Sequence, residues 1–179
     1  MKKAIIFGIR ILLIGAVFGC ARFNHKEPEI IKRTRFLMDT VCTIQVPGKT
    51  EEVDKIIDSA FNRMEEIDQK FNCLNPKSPL YQFNNKRIPI VDSELIQLIK
   101  IACKVSEESA GAFDITVEPL VNLWGFYTKN PSLPAKDDIR KCLKKIGYKH
   151  LVINDKKITS DDTKVMIDLG GIAKGYAIQ

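Results

Sequence analysis

Apolar residues fall on a period of two between Phe36 and Val46. Phe36, Met38, Thr40, Cys42, Ile44 and Val46 alternate with Leu37, Asp39, Val41, Thr43 and Gln45. Successive side chains of an extended chain point to opposite faces, so this run predicts one strand closing at Pro47-Gly48. The period then changes. Val53, Ile56, Ile57, Ala60, Met64, Ile67 and Phe71 recur every three or four residues and predict a helix capped by Thr50. Residues 72–91 contain Pro76, Pro79 and Pro89 and read as a loop. Asp92 caps a second helix that carries Leu95, Leu98, Ile99 and Ala102 and stops at Gly111. After a Pro/Asn/Ser loop at 127–134, a third helix with Ile139, Leu143 and Ile146 ends at Gly147. Short strands follow at His150–Ile153, Lys157–Thr159 and Val165–Leu169, separated by Asn154-Asp155 and Asp161-Asp162 turns. Helices and strands alternate irregularly and the late strands are hairpin-like. The pattern is α+β rather than a doubly wound parallel sheet.

The 179 residues suffice for one domain with a sizeable core, and 45% hydrophobic with 28% charged residues is a globular balance. The net charge of +6 is scattered, with no basic stripe interleaved with aromatics, so nucleic acid is not an expected partner. The N-terminus carries more information. Lys2-Lys3 precede an apolar stretch from Ala4 to Phe18, too short for a bilayer span, and Gly19-Cys20 follow. Val17-Phe18-Gly19-Cys20 resembles a bacterial lipobox, which predicts a signal peptide at 1–19 and a lipidated Cys20. An uncleaved anchor or a simple secretion signal are the alternatives. Residues 20–33 would then tether a domain at 34–179 outside the cytoplasmic membrane. Cys42, Cys73, Cys103 and Cys142 are well spread without a Cys-x-x-Cys pair, which argues against a zinc site and leaves a disulfide open. Cys42, Cys103 and Cys142 fall on apolar faces and read as small buried hydrophobes.

Two constellations could carry chemistry, and a third, Met38-Asp39-Thr40 inside the first strand, reads by itself as core packing. Asp114, just past a helix end and followed by Thr116 and Pro119, is a carboxylate fixed near the start of a short helix. It could accept hydrogen bonds from a ligand, or serve only as a cap while Trp124 packs in the core. Asp168-Leu-Gly-Gly-Ile-Ala-Lys174 puts a carboxylate at the end of a β-branched run, two glycines at a tight turn, and a lysine on a new helix. Those residues suit a phosphate-bearing ligand or a metal at a strand-to-helix junction, without the spacing of a P-loop. The sequence stops soon after this helix begins, which reads as the front part of a longer protein.

Met38–Thr40, Ser78–Asn84, Phe113–Phe126 and Asp168–Ala177 form an ordered set that resembles the ApbE family of FAD:protein FMN transferases. The resemblance spans about residues 34–179 and implies a T-fold-like α+β domain, here incomplete at its C-terminus. It implies FAD as substrate and Mg²⁺ as cofactor. FMN would pass to a threonine of a target flavoprotein, with release of AMP. By position, Met38, Ala112, Phe113, Asp114, Asp168 and Lys174 would lie in the FAD site, with Lys174 toward a phosphate. Gly171 would offer its backbone carbonyl to the metal, and Leu74 stands where an aromatic often lines the flavin. Catalytic residues and the other metal ligands would belong to the missing half. A non-catalytic FAD-binding lipoprotein, or an FAD hydrolase giving FMN and AMP, would use the same residues. Many members are lipoproteins on the extracytoplasmic face of the membrane, in agreement with Cys20.

Overall fold

The computed structural model describes residues 29–48 and 50–179. The expected signal peptide, the lipidation site Cys20, most of the tether and the Thr50 side chain lie outside the described residues. Among those residues, no helix is long and apolar enough to cross a membrane.

The alternation at 36–46 predicts one strand, but the chain forms two. β1 (Ile30–Leu37) and β2 (Thr40–Pro47) pair antiparallel, with Ile30 opposite Pro47 and Leu37 opposite Thr40. The period of two survives the break because Met38 and Asp39 make a two-residue turn with φ of 52° and 55°. Positive φ at both central positions matches the right-handed strand twist. Asn-Gly usually supplies it, so Met-Asp gives no turn signal.

α1 (Thr50–Phe71) is the long element, about 33 Å at 1.5 Å per residue. Val53, Ile57, Phe61, Ile67 and Phe71 form its buried stripe, whereas Ile56 is 59% exposed. Each half of α1 serves a different core. Val53, Ile57 and Phe61 pack with Ile31 under the hairpin, and Ile67 and Phe71 join the main core. Arg35 clamps the hairpin down: its guanidinium lies 4.7 Å from the Phe61 ring centroid and 2.6 Å from Asp58.

Residues 72–91 are not all loop. α2 (Pro79–Lys86) starts where Ser78 Oγ accepts the Tyr81 N–H at 2.9 Å. Pro79 does not prevent this, because a proline in the first helical turn gives up only an N–H that has no intrahelical partner. α3 (Ser93–Glu108) begins with the expected Asp92 cap on the Leu95 N–H at 2.9 Å. A single 3₁₀ turn at Ile115–Val117 leads into α4 (Glu118–Trp124), and α5 is Lys136–Leu143. β3 (Leu151–Ile153) and β4 (Ile158–Ser160) form a second hairpin, tied to the segment before α3 by reciprocal Ile90–Ile158 backbone bonds. α6 (Ala173–Ala177) closes the chain.

The third late strand is a further correction. Val165–Leu169 is buried apart from half-buried Met166, yet it pairs with no strand. Side chains take the place of a ladder. The Asn84 amide donates to the Ile167 carbonyl at 2.8 Å and accepts the Ile167 N–H at 2.8 Å. Arg87 donates to the Val165 carbonyl at 2.7 Å, and the Asp168 N–H donates to Ile115 O at 2.8 Å. Buried backbone groups need partners, and one asparagine supplies both here. Asn84→Ala leaves both unpartnered and is expected to cost about 2–4 kcal/mol of stability in urea unfolding. Asn85→Ala, at the exposed neighbouring position, should change it by less than about 0.5 kcal/mol.

Candidate functional site

Segments far apart in sequence meet around one cleft of about 490 Å³, measured to its open mouth. The hairpin turn brings Met38 and Asp39. The end of α1 and the residues after it bring Asp68, Phe71, Asn72, Cys73 and Leu74. The entry to α6 brings Asp168, Leu169, Gly170, Ala173 and Lys174, with Tyr127 on one side. Lys174 is the one cation among these lining residues, facing three carboxylates. Burial, followed by the neighbouring charge of Asp39, raises the Asp68 carboxyl above its ordinary range.

Asp168 is the best-held of these acids and is only 8% exposed. Its Oδ1 accepts the Gly170 N–H at 2.6 Å, an Asx turn that bends the buried segment toward α6. A Cβ at Gly170 would come within 3.0 Å of that oxygen. The Tyr127 hydroxyl donates to Oδ2. Burial and this bond raise the Tyr127 phenol, which keeps it a donor.

Behind Asp168 lie two more buried groups. Cys73 Sγ and one carboxylate oxygen each of Glu118 and Asp168 lie within 4.8 Å of one another. Glu118 is 3% exposed; Oε1 accepts from the Asn122 amide at 3.2 Å, and Oε2 has no hydrogen-bond partner. Burial and then the charge of Asp168 push its carboxyl up to about 7. Burial and then Glu118 push the Cys73 thiol up to about 12.

Of the residues singled out from sequence, Met38, Asp168 and Lys174 line this cleft, as does Leu74. Gly171 is exposed beside it, and a Cβ there would meet the Phe113 ring at 3.2 Å. Phe113 therefore flanks the turn, while Ala112 is exposed and Asp114 half-buried outside the cleft lining. The Asp114 carboxylate is engaged internally. Oδ1 accepts from the Thr116 N–H at 2.8 Å and the Thr116 hydroxyl at 2.6 Å, and Oδ2 accepts the Tyr148 N–H at 2.9 Å. The cysteine reading is met at Cys142, which is buried; Cys42 and Cys103 are half-buried, and all of these and Cys73 are free thiols. Glu118, Cys73, Tyr127 and Asp68 were not legible as site residues. Glu118 precedes Pro119 in a helical first turn, where an acid is ordinary complement to the helix dipole.

A mixed α and β body with a carboxylate-Gly-Gly-lysine turn opening on a cleft has known counterparts. Residues 38–179 match the ApbE family, and the chain belongs to that family. It is 36% identical to the FAD:protein FMN transferase of Chlamydia pneumoniae, over 68% of this chain and 40% of that protein. With the FAD:protein FMN transferase of Vibrio cholerae the identity is 28%, over 75% of this chain and 42% of that protein. The crystal structure of the ApbE protein of Thermotoga maritima superposes with a TM-score of 0.77 at 34% identity, over 83% of this chain and 50% of that one. The chain thus spans about half the length of the relatives it matches or less.

One buried glutamate, Glu118, and one half-buried glutamate, Glu94, predict the pH response. Glu118, raised from 4.5 to about 7, contributes stability that is fully present below pH 4.5 and is lost as pH rises through 7. Glu94 has the opposite sign. Partial burial opposes its ionisation, but hydrogen bonds from Lys70, Arg63 and Tyr176 outweigh burial and hold it at about 2. Its contribution is complete above pH 4.5 and is lost only as pH falls toward 2. Between pH 5 and 8 the Glu118 change therefore dominates. Urea unfolding of the chain should lose up to about 3 kcal/mol over that interval, and Glu118→Gln should flatten most of the slope.

Proposed function

We propose that this chain is the FAD-holding part of an Mg²⁺-dependent enzyme. The enzyme transfers FMN from FAD to a threonine of a target flavoprotein and releases AMP. The observation that carries the reading is the meeting of Met38, Asp168 and Lys174 in one cleft. Membership of a family whose matched relatives are named FAD:protein FMN transferase supports it.

In this reading Lys174 neutralises a phosphate of FAD at the cleft. Asp168, fixed by Gly170 and Tyr127, stands in the same cleft as part of the FAD site. Phe113 and Ala112 flank the turn, and Asp114 holds that flank in place through Thr116 and Tyr148. Gly171 fits its implied part, since it is exposed and carries no side chain that could crowd Phe113 or shield its carbonyl. Mg²⁺ bound there would neutralise charge on the pyrophosphate. The ion takes about six oxygen ligands, which waters, the FAD phosphates and further protein oxygens would complete. The threonine oxygen forms a bond to the FMN phosphorus as the bond from that phosphorus to the bridging oxygen breaks; AMP leaves with that oxygen, and the threonine proton passes to solvent.

Incubating the whole protein with FAD, Mg²⁺ and a threonine-bearing flavoprotein should give a fluorescent flavin that stays on the denatured acceptor, together with AMP. AMP without labelled acceptor would instead identify a hydrolase. Asp168→Ala should lower the rate about 100-fold or more; an unchanged rate would remove Asp168 from the site. We propose in addition that Cys20 carries lipid and holds the protein on the extracytoplasmic face of a bacterial membrane. Cys20→Ser should move the protein from the membrane to the soluble fraction.

A further inference from the structure

Cys73 and Glu118, which lie behind Asp168, have no role in the flavin reading, whereas Asp168 is shared with it. These groups come from three places: Cys73 from the residues after α1, Glu118 from the first turn of α4, and Asp168 from the segment ahead of α6. Cys73, Glu118 and Asp168 are all buried, at 8%, 3% and 8% exposure. Their donor atoms lie within 4.8 Å of one another. A buried carboxylate oxygen normally has a partner, and Glu118 Oε2 has none. The carboxylate that carries this orphan oxygen therefore sits beside a thiol and a second carboxylate, three groups that can each become an anionic ligand.

We propose that Cys73, Glu118 and Asp168 form a binding site for a zinc-class divalent cation, with an open fourth position on the cleft side. Sulfur decides the class of ion. Mg²⁺ prefers hard oxygen ligands, whereas one thiolate with two carboxylates suits Zn²⁺ and its spectroscopic substitute Co²⁺. Three protein ligands and one open position is the arrangement of reactive rather than purely structural zinc sites. Cys73 and Asp168 both line the cleft, which gives the ion an entry path and turns the fourth position toward it. The Tyr127 hydroxyl, bonded to Asp168, stands beside that position as a neutral donor. On binding, the Cys73 thiol gives its proton to solvent, as does any protonated Glu118, and the resulting anions bind the cation. Sequence spacing argues against a cysteine-based zinc site because it tests for ligands clustered along the chain. These ligands are 45 and 50 residues apart in sequence.

The site is distinct from the Mg²⁺ position implied at Gly171, and its test reads no flavin activity. Titrating the chain with Co²⁺ should produce visible bands of a four-coordinate ion and a sulfur-to-cobalt charge-transfer band. Cys73→Ser should abolish the charge-transfer band, and Glu118→Gln should weaken Co²⁺ binding about tenfold or more. Cys103→Ser, which alters a thiol elsewhere in the fold, should leave the spectrum unchanged. Zn²⁺ should displace Co²⁺, and excess Mg²⁺ should not. Circular dichroism of each variant separates loss of the site from loss of the fold. If the unaltered chain shows no charge-transfer band, or keeps the band in folded Cys73→Ser, the proposal is overturned. Displacement by Mg²⁺ overturns it as well.

Discussion

A buried extended segment that lacks a partner strand is the constraint on which the site depends. Val165–Asp168 runs through the main core, where an unpaired N–H or C=O is costly. Asn84, Arg87 and the Ile115 carbonyl satisfy it from three directions. The backbone is thereby fixed up to Asp168, and the Gly170 N–H then fixes the carboxylate itself. The site is arranged around that carboxylate: Lys174 lines the same cleft, Tyr127 bonds to it, and Glu118 and Cys73 lie behind it. A strand neighbour would also have satisfied the segment, but it would have covered the face on which α2 and the first turn of α4 now pack.

Glu94 and Glu118 show how far neighbours, rather than burial alone, set the behaviour of an acid. Both are withdrawn from water. Glu94 receives two cations and a phenol and stays ionised, and in doing so it ties α1, α3 and α6 together. Glu118 receives one amide and faces a second carboxylate. An enclosed acid with so little compensation does not add to rigidity. Its burial carries a cost that its single amide partner does not offset.

Much of the architecture was legible where periodicity or capping chemistry is local. The stripe of α1, the Asp92 cap of α3 and the β3–β4 hairpin all follow from residues close in sequence. The failures have a common cause in long-range contacts. Met38-Asp39 carries no turn signal, because the positive φ values are imposed by the pairing of β1 with β2 and by the packing of Met38 on the main core. Pro79 made α2 look like loop, although Ser78 just before it was a readable cap. Val165–Leu169 has strand composition and burial without a strand beside it, since its partner is the side chain of Asn84, far away in sequence. At the site, Asp168 and Lys174 stood out as a motif. Glu118 and Cys73 gain meaning only through residues that the fold brings to them.

The division of α1 between two cores has a mechanical consequence. Among the hairpin's apolar side chains, Met38 alone packs against the main cluster; Ile31, Leu37, Cys42, Ile44 and Val46 join the smaller one beneath, and Ile30, Phe36 and Val41 are exposed. The tip of the hairpin is thus a latch made of one flexible thioether side chain, at the far end of a lever hinged on the N-terminal half of α1. Because that tip also forms a wall of the cleft, the width of the cleft is set by how firmly one methionine is seated.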